Sequence, residues 1–218
     1  MTIKRQLEQL LIGKELRATT LLLCYASAAG AVNKMNELEV SLKFGLQQNI
    51  VNELELYEAL LQLYLFAGFP AAIESLTILN LVLGRNQNHN SKFEYNVELF
   101  RNRGENLCKE VYTTVYKKMR LRLQHISPEI DEWMIIEGYG KTLSREGLSA
   151  KTRELVTATS LAALGWENQL FSHLRGAILV GSTPDECFEL LEVLELLCEH
   201  DKVNKTKILI ERVAESIK

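Results

Sequence analysis

Several features that would mark other protein classes are scarce in this chain of 218 residues. It has only three prolines and no sustained alternation of polar and apolar residues, which argues against a fold built from strands. Its charge-free segment, 18–33, contains Thr19, Thr20 and Ser27 and is shorter than the ~20 apolar residues that a membrane-spanning helix needs. The charged N-terminal segment, 1–17, lacks the apolar core of an export signal, so we expect a cytoplasmic protein without a membrane partner.

The chain also lacks an excess of charge of either sign. With 25 basic and 28 acidic side chains, it shows no general attraction for nucleic acid or anionic membranes, and neither is expected as a partner. The only strong charge bias is local, between residues 101 and 124, where basic residues outnumber acidic ones. A solvated helix face is the favoured interpretation of that segment, with an anion-binding surface as the alternative.

Cysteine is rare, and its spacing is uninformative for redox or metal chemistry. The four cysteines, Cys24, Cys108, Cys187 and Cys198, form no CxxC pair and no metal-ligand pattern with histidine. Isolated cysteines in helices usually serve as small core residues, so structural thiols are predicted rather than a redox pair. No metal site is expected.

What the sequence does contain is helical periodicity, because apolar residues recur at intervals of three and four. An all-α fold is therefore predicted, with the polar segment 84–92 as a loop or linker. The predicted helices span residues 2–12, 15–30, 34–45, 51–67, 70–84, 102–126, 128–137, 149–164, 167–180, 184–200 and 202–217.

The segment 147–189 is the most informative part of the sequence. Ser149 predicts a helix start, Gly165 and Gly181 predict helix ends, and Thr183 with Glu186 predicts a capping box. Three consecutive helices follow from these signals.

Two residues of this segment, Glu154 and His173, are the candidate catalytic pair. They lie nineteen residues apart in the first two of these helices, which a turn at Gly165 connects. A carboxylate and an imidazole brought together across such a hairpin can transfer protons near neutral pH. The alternative is that His173 is an ordinary surface histidine or a hydrogen-bonded core histidine without a catalytic role.

The two halves of the chain are faintly similar. A constant offset of 136 aligns Arg17 with Arg153, and about five extra residues after Gly45 then bring Glu55 opposite Glu186. This similarity predicts a duplicated helical unit. The predicted division is a first repeat at 1–84, linker and connector helices at 85–146, and a second repeat at 147–218. In this alignment Ala18 replaces Glu154 and Glu37 replaces His173, so only the second copy retains the pair.

Four segments and a connector carry a resemblance to a known family. They are RELVTATSLAALG at 153–165, QLFSHLRGAILVG at 169–181, TPDECFELLE at 183–192, LYEALLQLYLFAGFPAA at 56–72, and PEIDEWMIIEGYGKTLSREGLS at 128–149. Their order and spacing resemble the carboxymuconolactone decarboxylase family, which includes the alkyl hydroperoxidase D-like proteins. The resemblance implies an all-helical fold that assembles into trimers or hexamers, with sites near subunit contacts.

One departure from the family separates its branches. The peroxidase members place two cysteines between the Glu and the His, and this chain has Trp166 and Gln169 at those positions. Without a thiolate there is no nucleophile to attack a peroxide, so thiol peroxidase activity is disfavoured.

The decarboxylase branch resembles the chain better and implies a cofactor-independent lyase or isomerase acting on a small carboxylated or lactone-like substrate. His173 would carry the proton, and Glu154 would orient its ring. The remaining candidates are substrate-binding residues chosen from their neighbourhood: Arg153, Arg145 and Arg175 as an anion clamp, and Tyr139, Trp166 and Gln169 as pocket walls.

The alternative is a non-catalytic member that serves as an oligomeric scaffold or binds a ligand. It is supported by the loss of the pair in the first copy and by the lack of a YxGxP-like segment after Leu197. The enzyme predicts a pocket lined by Arg and Tyr beside His173, whereas the scaffold predicts packed and mutually satisfied side chains.

Overall fold

The computed structural model describes residues 1–85 and 94–217, and within these ranges the chain forms helices and no strands. The predicted all-α class is therefore confirmed. The predicted linker at 84–92 lies, from residue 86 onward, outside the described residues. The α-helices are α1 Ile3–Leu10, α2 Ala18–Ala31, α3 Met35–Gln47, α4 Glu53–Leu61, α5 Leu63–Phe66, α6 Gly68–Val82, α7 Val97–Tyr112, α8 Tyr116–Ile126, α9 Pro128–Trp133, α10 Ala150–Leu164, α11 Glu167–Leu179, α12 Pro184–Leu197 and α13 His200–Ser216.

The chain divides into two compact units. The first, which we call the repeat unit, consists of residues 1–86 and 147–218, and the second, which we call the connector unit, consists of residues 87–146. The repeat unit contains α1–α6 and α10–α13. None of the described helices is long and apolar enough to cross a membrane.

The helix bounds of the repeat unit recur at a nearly constant offset, and we call residues 1–84 the first copy and residues 147–218 the second. Adding 132 to the bounds of α3 gives those of α11, and the same offset brings the start of α2 to the start of α10. It also pairs Asn33 with Gly165 and Asn49 with Gly181, and all four residues have positive φ. Asparagine and glycine are the residues that most readily adopt this left-handed conformation, so both copies end these helices in the same way.

From the next helix onward the offset is 131. Asn52 and Glu55 form a capping box at the start of α4, and Thr183 and Glu186 form one at the start of α12. The predicted alignment at 136 was therefore wrong by one helical turn over α2 and α3. The alignment error arose because residues four apart lie on the same helix face, so a shift of four preserves most of the apolar pattern.

The corrected equivalence changes which residues stand in for the candidate pair. Leu22, and not Ala18, occupies the position of Glu154, and Ser41, and not Glu37, occupies that of His173. Leu22 and Ser41 are both fully buried. The first copy still contains neither member of the pair.

The core of the repeat unit is built around α2 and α10, which pack against each other. Every residue from Thr20 to Gly30 is buried in α2, and every residue from Arg153 to Ala163 is buried in α10. The Ser27 and Ser160 hydroxyls form a hydrogen bond of 3.1 Å between the two helices. Because these helices are covered on all sides, each lacks the polar face that amphipathic surface helices have.

The predicted helix start at Ser149 and the predicted helix end at Gly165 are confirmed. The Ser149 hydroxyl accepts a hydrogen bond from the Thr152 N–H at 3.1 Å, and Gly165 ends α10 with φ 87°. This tight turn brings α11 back against α10. It thereby determines which residues of the two helices can meet.

Two sequence predictions in the connector unit were wrong in detail. The predicted helix 102–126 starts at Val97, capped by Asn96, and is interrupted by a 3₁₀ turn at Thr113–Val115. This turn belongs to a run of β-branched residues, which are poor helix formers. The predicted helix 128–137 continues as a π-helix over Met134–Leu143, whose wider turns the 3.6-residue pattern does not reveal.

Within the connector unit, α7 and the π-helix approach so closely that only glycine fits. A Cβ added at Gly104 would overlap the Ile135 carbonyl oxygen, and one added at Gly140 would overlap the Phe100 carbonyl oxygen. We expect Gly104→Ala or Gly140→Ala to lower the free energy of unfolding by about 1–3 kcal/mol, because backbone must move apart. Denaturant titration measures the change. The matched control is Gly138→Ala in the same π-helix, where an added Cβ meets nothing within 4 Å and no loss is expected.

Candidate active site

The structure brings the predicted pair into direct contact. The Nδ1 nitrogen of His173 lies 2.8 Å from the Oε2 oxygen of Glu154, between α11 and α10. His173 is 5% exposed and Glu154 is 3% exposed. Since a carboxylate can only accept, an Nδ1–H donates this bond, and the ring then exchanges protons through Nε2.

An aromatic ring from the first copy completes the contact around His173. The ring of Phe66, at the end of α5, meets the His173 ring edge-on, with 5.2 Å between centroids and 85° between planes. Such a contact restricts ring rotation and shields one side of the imidazole from water. The histidine is therefore held by one residue from each copy.

A buried charged cluster connects the end of α4 with the turn of α10 that contains Glu154. The Arg153 guanidinium is 2.9 Å from a Glu58 carboxylate oxygen and donates to the Gln62 amide oxygen at 3.1 Å. The Gln62 amide nitrogen in turn donates to the Arg153 carbonyl at 3.3 Å and to the Thr157 hydroxyl at 3.2 Å. Glu58, Gln62 and Arg153 are all at most 2% exposed. Helices α4 and α10 are thereby joined by charge-assisted bonds.

Sequence analysis missed the three residues that α4 and α5 contribute to this region. Glu58, Gln62 and Phe66 are spaced by four, so they follow one helical stripe. Their signal in the sequence is a glutamate and a glutamine within the apolar run from Leu56 to Phe66. On their own, such residues indicate an exposed face, and only the tertiary structure shows that they are buried.

The predicted clamp residue Arg153 has its guanidinium bound to Glu58 and Gln62. Arg175 follows His173 by two residues, which turns it about 200° around α11, and its Nε is buried without a hydrogen-bond partner among the described residues. Neither observation assigns a substrate contact. The anion clamp stays a prediction.

The predicted pocket walls Trp166 and Gln169 lie at the start of α11 and are exposed, Trp166 to 60%. Tyr139 and Arg145 belong to the connector unit, where Tyr139 lies in the π-helix and its hydroxyl donates to that of Tyr112 at 3.0 Å. Substrate contacts by these four residues remain predictions. An indole exposed one and a half to two turns before His173 is suited to contact a ligand or a second subunit.

The chemistry that this arrangement supports is proton transfer. A carboxylate bonded to Nδ1, as Glu154 is to His173, favours the Nδ1–H tautomer and would stabilise an imidazolium formed at this ring. Among residues 1–85 and 94–217, no group of three His, Cys, Asp or Glu side chains is arranged to hold a metal ion.

The cysteines are poorly suited to nucleophilic chemistry. Cys24 and Cys187 are fully buried, and burial raises the pKa of each thiol to about 12. Burial also raises the pKa of the half-buried Cys198 thiol. Because only a thiolate attacks a peroxide or a disulfide, these thiols stay in the unreactive protonated form at neutral pH.

We therefore expect slow reaction of the native chain with a thiol reagent. At pH 8, well under one thiol per folded chain should react with Ellman's reagent within minutes, and Cys198 should react first. After denaturation all four cysteines should react. Peptide mapping identifies the labelled sites. Fast labelling of Cys24 or Cys187 in the folded protein would contradict the expectation.

Comparison with known proteins places these features in a family context. The sequence model of the carboxymuconolactone decarboxylase family matches residues 128–210, a range that includes Glu154 and His173 but not Glu58 or Phe66. A 53-residue stretch is 47% identical to the 4-carboxymuconolactone decarboxylase of Acinetobacter baylyi (strain ATCC 33305 / BD413 / ADP1). This stretch covers 24% of the chain and 40% of that relative's length.

Proposed function

We propose that the chain is a cofactor-independent lyase or isomerase of a small carboxylated, lactone-like substrate. The match of residues 128–210 to the sequence model of the carboxymuconolactone decarboxylase family supports this proposal. The observation that carries the proposal is the 2.8 Å contact between His173 and Glu154. This contact lies inside the segment that matches the family. A decarboxylase-like reaction also agrees with the activity named for the relative.

In the proposed reaction the substrate supplies most of the electronic driving force. The bond between carbon and the departing carboxylate breaks, carbon dioxide leaves, and the electron pair passes into the conjugated carbonyl. The doubly protonated His173 ring then donates its Nε2 proton to carbon and recovers a proton from solvent. Glu154 keeps the Nδ1 side of the ring fixed and compensates its charge during this step.

The test is a turnover assay with 4-carboxymuconolactone and a panel of small carboxylated lactones in deuterated water. We expect release of one carbon dioxide per product and one deuterium at the carbon next to the carbonyl, the atom that His173 protonates. Isomerisation without carbon dioxide release would select the isomerase alternative. Absence of both, with the protein folded and assembled, would reject catalysis.

A second candidate function is a non-catalytic scaffold or ligand-binding member of the family. It is favoured by the burial of His173 and Glu154, since two mutually satisfied side chains need no substrate to explain them. It differs from the enzyme in one measurable respect. In the scaffold Glu154→Gln changes stability alone, whereas in the enzyme it lowers kcat at unchanged assembly.

We further propose that the chain forms a homo-oligomer, a trimer or a hexamer, through the outer face of α6. Phe69, Ile73 and Leu81 on this face are 68%, 56% and 75% exposed. At the equivalent positions of α13, 131 residues on, stand His200, Asn204 and Arg212. The two copies thus differ in one solvent-facing surface, and an apolar surface of this kind typically marks a contact between proteins.

For this interface we expect Ile73→Lys to dissociate the oligomer at micromolar concentration, because the lysine would be buried without a partner. Light scattering after size exclusion measures the mass. The matched control is Asn204→Lys at the equivalent position of α13, which should leave the mass unchanged. Equal masses for all three proteins would place the interface elsewhere.

The small carboxylate substrate and the cytoplasmic location are parts of the same proposal. They rest on the family match and on the sequence features given above.

A further inference from the structure

The two junctions between the copies differ in a way that the fold itself does not require. At one junction α4 and α5 meet α10 through Arg153, Gln62 and Phe66. At the equivalent positions of the other junction, where α12 meets α2, stand Leu21, Val193 and Leu197, all of them buried.

Glu58 also has a glutamate at its equivalent position, Glu189, but this half-buried carboxylate accepts from the backbone N–H groups of Glu15 and Leu16 at 2.7 and 2.9 Å. The second junction, which we call the apolar junction, therefore has leucine and valine in place of Arg153 and Gln62 and no ion pair at these positions.

The apolar junction shows that the polar one is not needed to hold the helices together. Removing a guanidinium and a carboxylate from water carries a large desolvation cost, and an apolar replacement of similar volume is often at least as stable. The costly cluster nevertheless occurs at the junction that holds the His173 and Glu154 pair. Its position suggests a role in that pair.

We propose that Glu58, Arg153 and Gln62 form a positioning cluster through which the first copy fixes the His173 and Glu154 pair of the second. This inference rests on the proposed function, because positioning matters only if the pair transfers protons. It gives the first copy, which lacks the pair, a part in the site.

The bonds of Gln62 explain how the cluster acts. Its amide nitrogen binds the Arg153 carbonyl and the Thr157 hydroxyl, two residues one turn apart that enclose Glu154 in sequence. The turn of α10 that carries the Glu154 carboxylate is therefore held on both sides. Phe66, one turn after Gln62, lies against the His173 ring.

The ion pair fixes the distance between the two helices. Arg153 donates to Glu58 on α4 as well as to Gln62, so α4 can neither slide along α10 nor rotate without breaking a charged bond. A displacement of about 1 Å in a proton-transfer site typically lowers the rate on the order of 100-fold. The cluster supplies the rigidity that such a site needs.

The test replaces the polar side chains of the junction between α4 and α10 by apolar ones. In the triple variant Glu58→Met, Arg153→Leu, Gln62→Val, the second and third substitutions imitate Leu21 and Val193, and the first removes the carboxylate that would otherwise be buried without the arginine. We expect it to fold with an unfolding midpoint no lower than that of the parent protein. We also expect kcat to fall about 10- to 100-fold at nearly constant KM. The matched control, Leu21→Met with Val193→Ile, alters the other junction and should leave kcat unchanged.

A spectroscopic readout separates this inference from the proposed function. The ¹⁵N chemical shifts of the His173 ring report which nitrogen carries the proton, whether or not a substrate is known. In the parent protein we expect the Nδ1–H form to dominate, and in the triple variant a mixture of both tautomers. A folded triple variant with unchanged tautomer populations would overturn the positioning role, even if the parent protein catalyses the reaction.

Should the triple variant fail to fold, Gln62→Met tests the same inference alone. It retains the ion pair between Arg153 and Glu58 and a side chain of similar length, and it removes the bonds to Arg153 and Thr157. A tautomer mixture at His173 in the folded variant supports the inference. A parent-like tautomer population overturns it.

Discussion

Replacing His173 by alanine is expected to lower kcat by about 10²–10⁴-fold while leaving the oligomer intact. The imidazole is the group that delivers the proton after carbon dioxide leaves, and no other histidine is described as bonded to Glu154. Assembly should persist because the variant leaves the outer face of α6 unchanged. Steady-state kinetics with the lactone panel and light scattering measure the two effects.

The control for this variant is His125→Ala, which removes an exposed histidine of α8 and should leave kcat unchanged. The kcat of Glu154→Gln is expected to lie between those of His173→Ala and His125→Ala. An amide can still accept from Nδ1, but it cannot compensate the imidazolium charge. Full activity of His173→Ala would remove this residue from the mechanism. An equal loss of kcat in His125→Ala would show that the loss comes from general damage to the protein and not from the role of His173.

The features that sequence analysis predicted correctly depend on local physical chemistry. A Ser149 cap, a left-handed Gly165 and a capping box at Thr183 are each decided within a few residues, and each is present in the structure. The turn at Gly165 then places two adjacent helices side by side. For that reason Glu154 and His173 could be paired from their spacing alone.

The features that sequence analysis missed depend on distant parts of the chain. Glu58 and Arg153 are 95 residues apart, and no periodicity shows that a glutamate in α4 will be buried against an arginine in α10. The alignment of the copies failed for a related reason, since a shift of one turn hardly changes an apolar stripe. The helix bounds, together with the positive φ of Asn33 and Gly165 at the helix ends, revealed the correct offset.

Glu58→Ala is expected to lower the free energy of unfolding by about 3–5 kcal/mol. The substitution would remove the Glu58 carboxylate from the Arg153 guanidinium, which is buried at 2% exposure. Denaturant titration measures the loss. Glu39→Ala is the control, because it removes the same charge from a half-exposed pair with Lys43 and should cost no more than about 0.5 kcal/mol.

The same prediction distinguishes two origins of that loss. If the cost arises from the guanidinium left without Glu58, then adding Arg153→Leu to Glu58→Ala should recover most of the lost stability, because both charges of that ion pair are then absent. If it arises from the lost volume of the glutamate, the second substitution should recover nothing. Recovery of stability without recovery of the His173 tautomer would separate what holds this junction together from what its charges do for the site.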